Sequence, residues 1–335
     1  MRVTSYGLRV KKRPRTQKQG KINLGKFKPN FARPSIITHV RKQRLRYIAM
    51  LPSLITLMNA IMGFVAIGFA SRGAGTGAER YFFHNPKLTY FAMAGYMIFI
   101  AMVADMLDGR VARLSKSTSS FGGQLDSLCD VISFGVAPAF LMLRLLEGRL
   151  AELSAQYVTA GPMVTKFVWI CGAVYVACAA IRLARFNVEN EEDESAHMAF
   201  WGLPSPAAAG VVASIVVFQQ DMLPELTERT SWIFRFSEDV LLWGLPVITF
   251  GAGILMITRI KYPHLANQLF RGKKPFMSLI YALVILLVVV WHIQTALLVA
   301  FCGFALWGVV RWGFMKIKGQ RVPEGDFEGP EPEQD

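Results

Sequence analysis

The apolar residues of this chain fall in long uncharged runs separated by charged segments. Tyr47 to Ala70 carries no charged side chain, and neither do Leu88 to Ala104, Met198 to Gln220, Val240 to Thr258 or Pro275 to Val310. A helix that crosses the hydrocarbon core of a bilayer needs about 20 apolar residues, so these runs predict transmembrane helices. The last run would make one helix about 54 Å long, too long for a single crossing. His292 and Gln294 mark a tight turn that divides it into a hairpin. With two further apolar stretches, at 123–143 and 166–184, eight spans are expected, at roughly 48–70, 88–107, 123–143, 166–184, 203–220, 240–258, 275–291 and 294–312. Pro204 and Pro206 open the fifth, because a first helical turn tolerates proline. The expected fold is all-α, a polytopic transmembrane helical bundle. It divides into a basic head (1–46), a membrane core (47–260), a C-terminal transmembrane hairpin (261–318) and a Pro-, Gly- and Glu-rich disordered tail (319–335).

Composition agrees with this pattern. Hydrophobic residues make up 53% of the 335 and charged residues only 18%, against about 25% charged in ordinary soluble domains. Cys129, Cys171, Cys178 and Cys302 all fall in predicted spans. They lack zinc-ligand or disulfide spacing and read as packing residues. His197, His264 and His292 are scattered and make no metal set, and Glu189 to Glu194 reads as a solvated loop.

Charge sets the orientation. The net charge is +14, and residues 1–46 hold fifteen Lys or Arg and no Asp or Glu. This head has no apolar h-region and is not a cleavable signal peptide. A nucleic-acid-binding arm is one reading of such a run. A mostly disordered segment lying on anionic membrane lipids is the preferred one, with no nucleic-acid partner. With eight spans and the head inside, 29 of the 37 Lys and Arg lie in cytoplasmic segments, as the positive-inside rule requires. Both termini are then cytoplasmic, and the expected location is a bacterial inner membrane.

Chemistry concentrates where the second span ends and the third begins. Asp105 and Asp108 are three residues apart, and Asp126 and Asp130 four apart. Each pair shares one helix face, and the short loop between makes the two helices antiparallel neighbours. Four carboxylates then converge at the cytoplasmic membrane edge. Carboxylates inside a membrane are costly and mark function. Carboxylate oxygens suit hard cations such as Mg²⁺ or Mn²⁺, and two such ions would clamp a phosphoryl transition state. Gly109 and Gly122 lack side chains and would let a bulky ligand approach. The bland alternative is a set of helix caps and salt bridges to Arg110 and Arg113. A cation transporter is the rival from another functional class, though paired broken helices and inverted repeats are not visible.

The segment Asp105-x-x-Asp108-Gly109-x-x-Ala112-Arg113, eight residues, then Gly122-x-x-x-Asp126-x-x-x-Asp130 resembles the signature of the CDP-alcohol phosphatidyltransferases. The resemblance implies a six-helix core, here with two additional C-terminal spans. It implies that an alcohol attacks the lipid-side phosphorus of a CDP-linked lipid and CMP leaves. It implies that Asp105, Asp108 and Asp126 hold metal, that Asp130 belongs to the same metal site, and that Asp130 acts as general base. Thr56, Asn59, Gly109, Arg113 and Gly122 are expected to bind the CDP-lipid, and a homodimer is implied.

Stretches outside the signature resemble the serine-accepting branch of that family. They are Leu51-Pro-Ser-Leu-Ile-Thr-Leu-Met-Asn59 with Gly63-Phe64, Leu125 to Pro138, Arg182-Leu-Ala-Arg-Phe-Asn187, and Gly202 to Gly210. Ser53 replaces the usual asparagine after the proline. The implied substrates are CDP-diacylglycerol and L-serine. Serine carries a carboxylate that needs a cation, and an arginine fork suits it. Arg182 and Arg185, at the inner end of the fourth span, with Asn187, are the expected acceptor contacts. Their other reading is positive-inside anchoring. A sister enzyme using choline, glycerol 3-phosphate or inositol phosphate remains the alternative.

Overall fold

A computed structural model describes residues 36–73, 82, 88–115, 120–192, 202–227, 232–258, 260 and 292–317. The chain divides into a short N-terminal unit, Met1–Arg44, and a large one, Leu45–Asp335, which holds the core and the aspartates. Among the described residues the elements are helical and no strand forms, as expected. They are α1 (Ile36–Gly73), α2 (Tyr90–Ser115), α3 (Ser120–Asp130), α4 (Ala137–Gln156), α5 (Ala160–Glu192), α6 (Ser205–Val217), α7 (Leu223–Leu226), α8 (Trp232–Ile257) and α9 (Ile293–Ile317). Two π-helical turns, Val131–Val136 and Phe218–Met222, join α3 to α4 and α6 to α7.

Six helical stretches are long and apolar enough to cross a membrane: Ser53–Gly73, Tyr90–Val111, Phe121–Gln156, Ala160–Val188, Trp232–Ile257 and Ile293–Phe314. They coincide with six of the eight expected spans. Several run well past the uncharged sequence. The third continues through Arg144, Glu147, Arg149 and Glu152, because i,i+3 ion pairs support the helix beyond the apolar stretch. The fourth reaches Glu192, so residues 189–192, expected in a loop, are helical. Residues 36–46 of the head are helical too. Residues 1–35, the expected span 275–291 and the tail lie outside the described residues.

The fifth expected span is α6 with the π-turn after it, and it is the centre of the bundle. Eleven of the thirteen α6 residues are buried. Its small side chains allow neighbours close: a Cβ at Gly210 would overlap the Phe301 ring of α9, and a Cβ at Gly95 of α2 would overlap Val217. α2 and α9 pack on α6, while α5 packs on α4 and α8. Apolar side chains in the centre include Ile98, Phe134, Leu141, Val212 and Leu245. Buried hydroxyls bond within their own helices, Ser214 to the Val211 carbonyl at 3.1 Å and Thr249 to the Leu245 carbonyl at 2.8 Å, since lipid offers no partner. Gly202 turns the chain into α6 with φ +81°, where a Cβ would meet the Thr258 carbonyl oxygen at 2.9 Å, and its N–H donates to the Ile260 carbonyl at 2.9 Å.

Candidate active site

The last turns of α2 and the first turns of α3 carry the acidic residues. One carboxylate oxygen from each of Asp105, Asp108 and Asp126 lies within 4.8 Å of the others. Asp108 is buried, while Asp105 and Asp126 are half-buried. Asp108 Oδ2 and Asp126 Oδ1 are buried without any hydrogen-bond partner. Buried carboxylate oxygens with nothing to accept from are costly. Three hard oxygen donors with orphaned lone pairs fit a divalent cation of the Mg²⁺ or Mn²⁺ type. Arg110 is exposed, and the Arg113 side chain lies outside the described residues.

Asp130 stands outside that compact group but within electrostatic reach of all three members. It is the last residue of α3 before the first π-turn and is buried at 7% exposure. Its Oδ1 accepts from Asn59 Nδ2 of α1 at 2.8 Å. The π-turn is fixed from two sides. Ser133 Oγ donates to the Asn59 carbonyl at 2.8 Å, and the Tyr175 hydroxyl of α5 donates to the Phe134 carbonyl at 2.9 Å. Gly63 permits this approach, because a Cβ there would meet Ser133 Cα at 2.7 Å.

Thr56 is buried, and its side chain hydrogen-bonds Asp108. At Gly109 an added Cβ would meet no protein atom within 4 Å. Packing of the chain therefore does not require a glycine there. Gly122 is half-buried beside Phe121.

The C-terminal part of α5 also reaches the site. Arg182 is an electrostatic neighbour of Asp130. Its Nη1 donates to Ser205 Oγ at the start of α6, at 3.2 Å, and its Nε is buried without a partner. Arg185 lies one turn further on and is half-buried. Asn187 Oδ1 accepts from Ser127 Oγ of α3 at 3.0 Å, tying α5 to the aspartate helix. Thus α1, α2, α3 and α5 each bring expected residues to one end of the bundle. Sequence reasoning missed Ser127, Ser133, Tyr175 and Ser205. Ser127 and Ser133 stand close to signature residues and Ser205 at a helix start, which hinted at them, whereas Tyr175, in the middle of α5, carried no such signal.

A cavity of about 640 Å³ lies at the other end of α4, bordered by Arg144, Glu147, Arg149, Glu152, Gln219 and Gln220. Fourteen residues separate Asp130 from Arg144, about 21 Å of helix at 1.5 Å per residue. Arg144 pairs with Glu147, and Arg149 with Glu152 and with the neighbouring Asp239, and none of the expected site residues lines the cavity.

The chain is similar in sequence to known proteins over much of its length. The CDP-alcohol phosphatidyltransferase family model matches residues 49–251. A Helicobacter pylori protein called CDP-diacylglycerol–serine O-phosphatidyltransferase is 30% identical over 270 residues, 80% of this chain and 93% of that one. A Methanocaldococcus jannaschii protein of the same name is 29% identical over 268 residues, 80% of this chain and 96% of that one. A third, from Saccharomyces cerevisiae, is 35% identical over 163 residues, 47% of this chain and 50% of its own.

Proposed function

The chain belongs to the CDP-alcohol phosphatidyltransferase family, and from that premise we propose that it transfers the phosphatidyl group of CDP-diacylglycerol to the hydroxyl of L-serine. The products are phosphatidylserine and CMP. The observation that carries this reading is the convergence of Asp105, Asp108 and Asp126 beside a separately held Asp130. The names of the relatives from Helicobacter pylori, Methanocaldococcus jannaschii and Saccharomyces cerevisiae support serine as the acceptor.

Asp105, Asp108 and Asp126 would hold Mg²⁺ or Mn²⁺, two ions in our reading. Bound there, the cations would offset the charge of the diphosphate and of the phosphoryl transition state. The chain's own residues orient and deprotonate. The serine hydroxyl oxygen forms a bond to the lipid-side phosphorus. The bond from that phosphorus to the bridging oxygen breaks, and its electron pair leaves with CMP. The hydroxyl proton passes to Asp130, because a hydroxyl is a weak nucleophile until a positioned base takes its proton. Gly109, Gly122 and Arg113 flank the CDP-lipid. Arg182, Arg185 and Asn187 face the acceptor, whose carboxylate calls for a guanidinium fork.

The membrane setting completes the reading. Six apolar helices among the described residues make this an integral, multi-pass membrane protein. The charge asymmetry supports cytoplasmic termini, a cytoplasmic active site and a bacterial inner membrane, with the basic head on anionic lipid. Family resemblance adds a homodimer.

The decisive experiment is an acceptor panel on purified enzyme with CDP-diacylglycerol and Mg²⁺ or Mn²⁺. Serine should release CMP, while choline, glycerol 3-phosphate and inositol phosphate should leave it near background. Release with one of those three and not with serine would transfer the assignment to a sister enzyme. No CMP with any alcohol would remove the transferase reading.

A further inference from the structure

The nucleotide-lipid contacts expected of Thr56 and Asn59 do not fit their burial. Asn59 is fully enclosed at 0% exposure, and Thr56 is 5% exposed. Neither presents an exposed polar surface to a ligand. Both side chains are instead committed to aspartates. Thr56 bonds Asp108, and Asn59 Nδ2 donates to Asp130 Oδ1 at 2.8 Å.

The arrangement follows from helix geometry. Residues 56, 59 and 63 are spaced three and four apart, so they share one face of α1. That face meets Asp108, then Asp130, then the π-turn at Ser133 in sequence. Asn59 is held at both ends, since its carbonyl accepts from Ser133 Oγ at 2.8 Å. Its own side-chain oxygen is buried without a partner. The hydrogen bond this side chain makes is therefore on its N–H side, to Asp130. Asp108 and Asp130 are also the two most buried of the four aspartates, at 5% and 7% exposure. They are the ones whose carboxylate planes water cannot set.

We infer that Thr56 and Asn59 are positioning residues. The 56–59–63 face of α1 is a splint that sets the carboxylates of Asp108 and Asp130, and it is not a wall of the lipid site. Thr56 orients one cation ligand. Asn59 occupies Asp130 Oδ1 and leaves Oδ2 for the acceptor's proton. This rests on the roles proposed above for Asp108 and Asp130.

The test uses full-length enzyme and three variants. Thr56→Val keeps the shape and removes the hydroxyl. Thr56→Ser restores the hydroxyl. Asn59→Leu keeps the volume and removes the donor. Mn²⁺ affinity is read from the electron paramagnetic resonance of free Mn²⁺ titrated into metal-free enzyme, independently of turnover. Thr56→Val should weaken Mn²⁺ binding about 10- to 100-fold, the usual effect of losing an outer-shell partner, and Thr56→Ser should recover most of it. Asn59→Leu should lower kcat at saturating metal at least about 10-fold. Both should keep the wild-type KM for CDP-diacylglycerol. A raised lipid KM with unchanged kcat and Mn²⁺ affinity, in Thr56→Val or Asn59→Leu, would make that residue a lipid contact and overturn the inference. Should Asn59→Leu fail to fold, the Thr56 pair decides. Wild-type enzyme that makes no CMP with serine would defeat the proposed function, whereas the Mn²⁺ comparison still judges the splint.

Discussion

The Tyr175 hydroxyl of α5 donates to the Phe134 carbonyl of the π-turn after α3 at 2.9 Å. Phe134 lies in the π-turn after Asp130, where the Ala137 N–H bonds the Ile132 carbonyl five residues back. Pro138, four residues after Phe134, has no N–H, so that carbonyl lacks its ordinary helical donor. Tyr175, fully buried, supplies it. Tyr175→Phe would strand that carbonyl in an apolar interior, at a cost of about 1–3 kcal/mol. The thermal unfolding midpoint in detergent should fall, and kcat with it, because the turn sets the end of the helix that carries Asp130. An unchanged midpoint would mean that the hydroxyl does not support the turn.

Two glycines near the site should respond in opposite ways. A Cβ at Gly63 would overlap Ser133, whereas a Cβ at Gly109 would touch no protein atom. Gly63→Ala should therefore force α1 away from the π-turn and destabilise the protein by about 1–3 kcal/mol, as overpacking does. Gly109→Ala should leave the unfolding midpoint in place and raise the KM for CDP-diacylglycerol. A stable Gly63→Ala enzyme with normal kinetics would show that α1 need not approach so closely. A Gly109→Ala enzyme with unchanged KM would take Gly109 out of the lipid site.

Much of this was legible in the sequence, and the reasons are physical. Uncharged length reveals a span because a bilayer has a fixed thickness, and α2, α8 and α9 appear where the runs lie. The Asp105, Asp108 and Asp126 cluster was legible because i,i+3 and i,i+4 spacing fixes helix faces. What burial decides was hidden. Nothing in the local pattern distinguishes a threonine that touches a ligand from one that holds Asp108. The π-turns were invisible as well, since Val131–Val136 reads as ordinary helix and its register depends on Tyr175, 41 residues from Phe134. The end of α4 ran past the apolar stretch because ion pairs such as Arg149 with Glu152 support a helix where hydropathy has faded.

The acidic group should behave as a unit. Asp105→Asn, Asp108→Asn and Asp126→Asn each remove a hard ligand from a shared site whose members lie within 4.8 Å of one another. Each should abolish nearly all turnover while the protein still inserts and elutes as wild type. Chelation of divalent ions should silence the wild type, and added Mn²⁺ should restore it. Near-normal turnover of any one variant at limiting metal would remove that residue from the group.

Topology is testable at the two ends of the bundle. A reporter fused after Lys318 should be cytoplasmic and one placed near Gly75 external. The motive is that 29 of 37 Lys and Arg fall in the segments assigned to the inside. Cytoplasmic labelling at both positions would break the eight-span arrangement.

The two arginines of α5 should separate acceptor binding from site architecture. Arg182 already has structural work: it donates to Ser205 at 3.2 Å, binding α5 to the start of α6, and its charge lies next to Asp130. Arg182→Ala should thus lower both kcat and the unfolding midpoint, because Asp130 loses its neighbouring cation and the α5–α6 contact goes. Arg185 lies one turn further along α5 and is half-buried, and the proposed function gives it the carboxylate of the acceptor. Arg185→Ala should raise the serine KM about 10-fold or more, the loss expected for a charge-assisted hydrogen bond of about 1.5–3 kcal/mol, and leave the CDP-diacylglycerol KM alone. Arg185→Lys should recover only part of the affinity, since an ammonium cannot reproduce a bidentate fork. Serine and lipid kinetics on all three variants, with unfolding midpoints alongside, decide the assignment. An unchanged serine KM in Arg185→Ala, with a raised one in Arg182→Ala, would move the carboxylate pocket one turn deeper, directly beside Asp130.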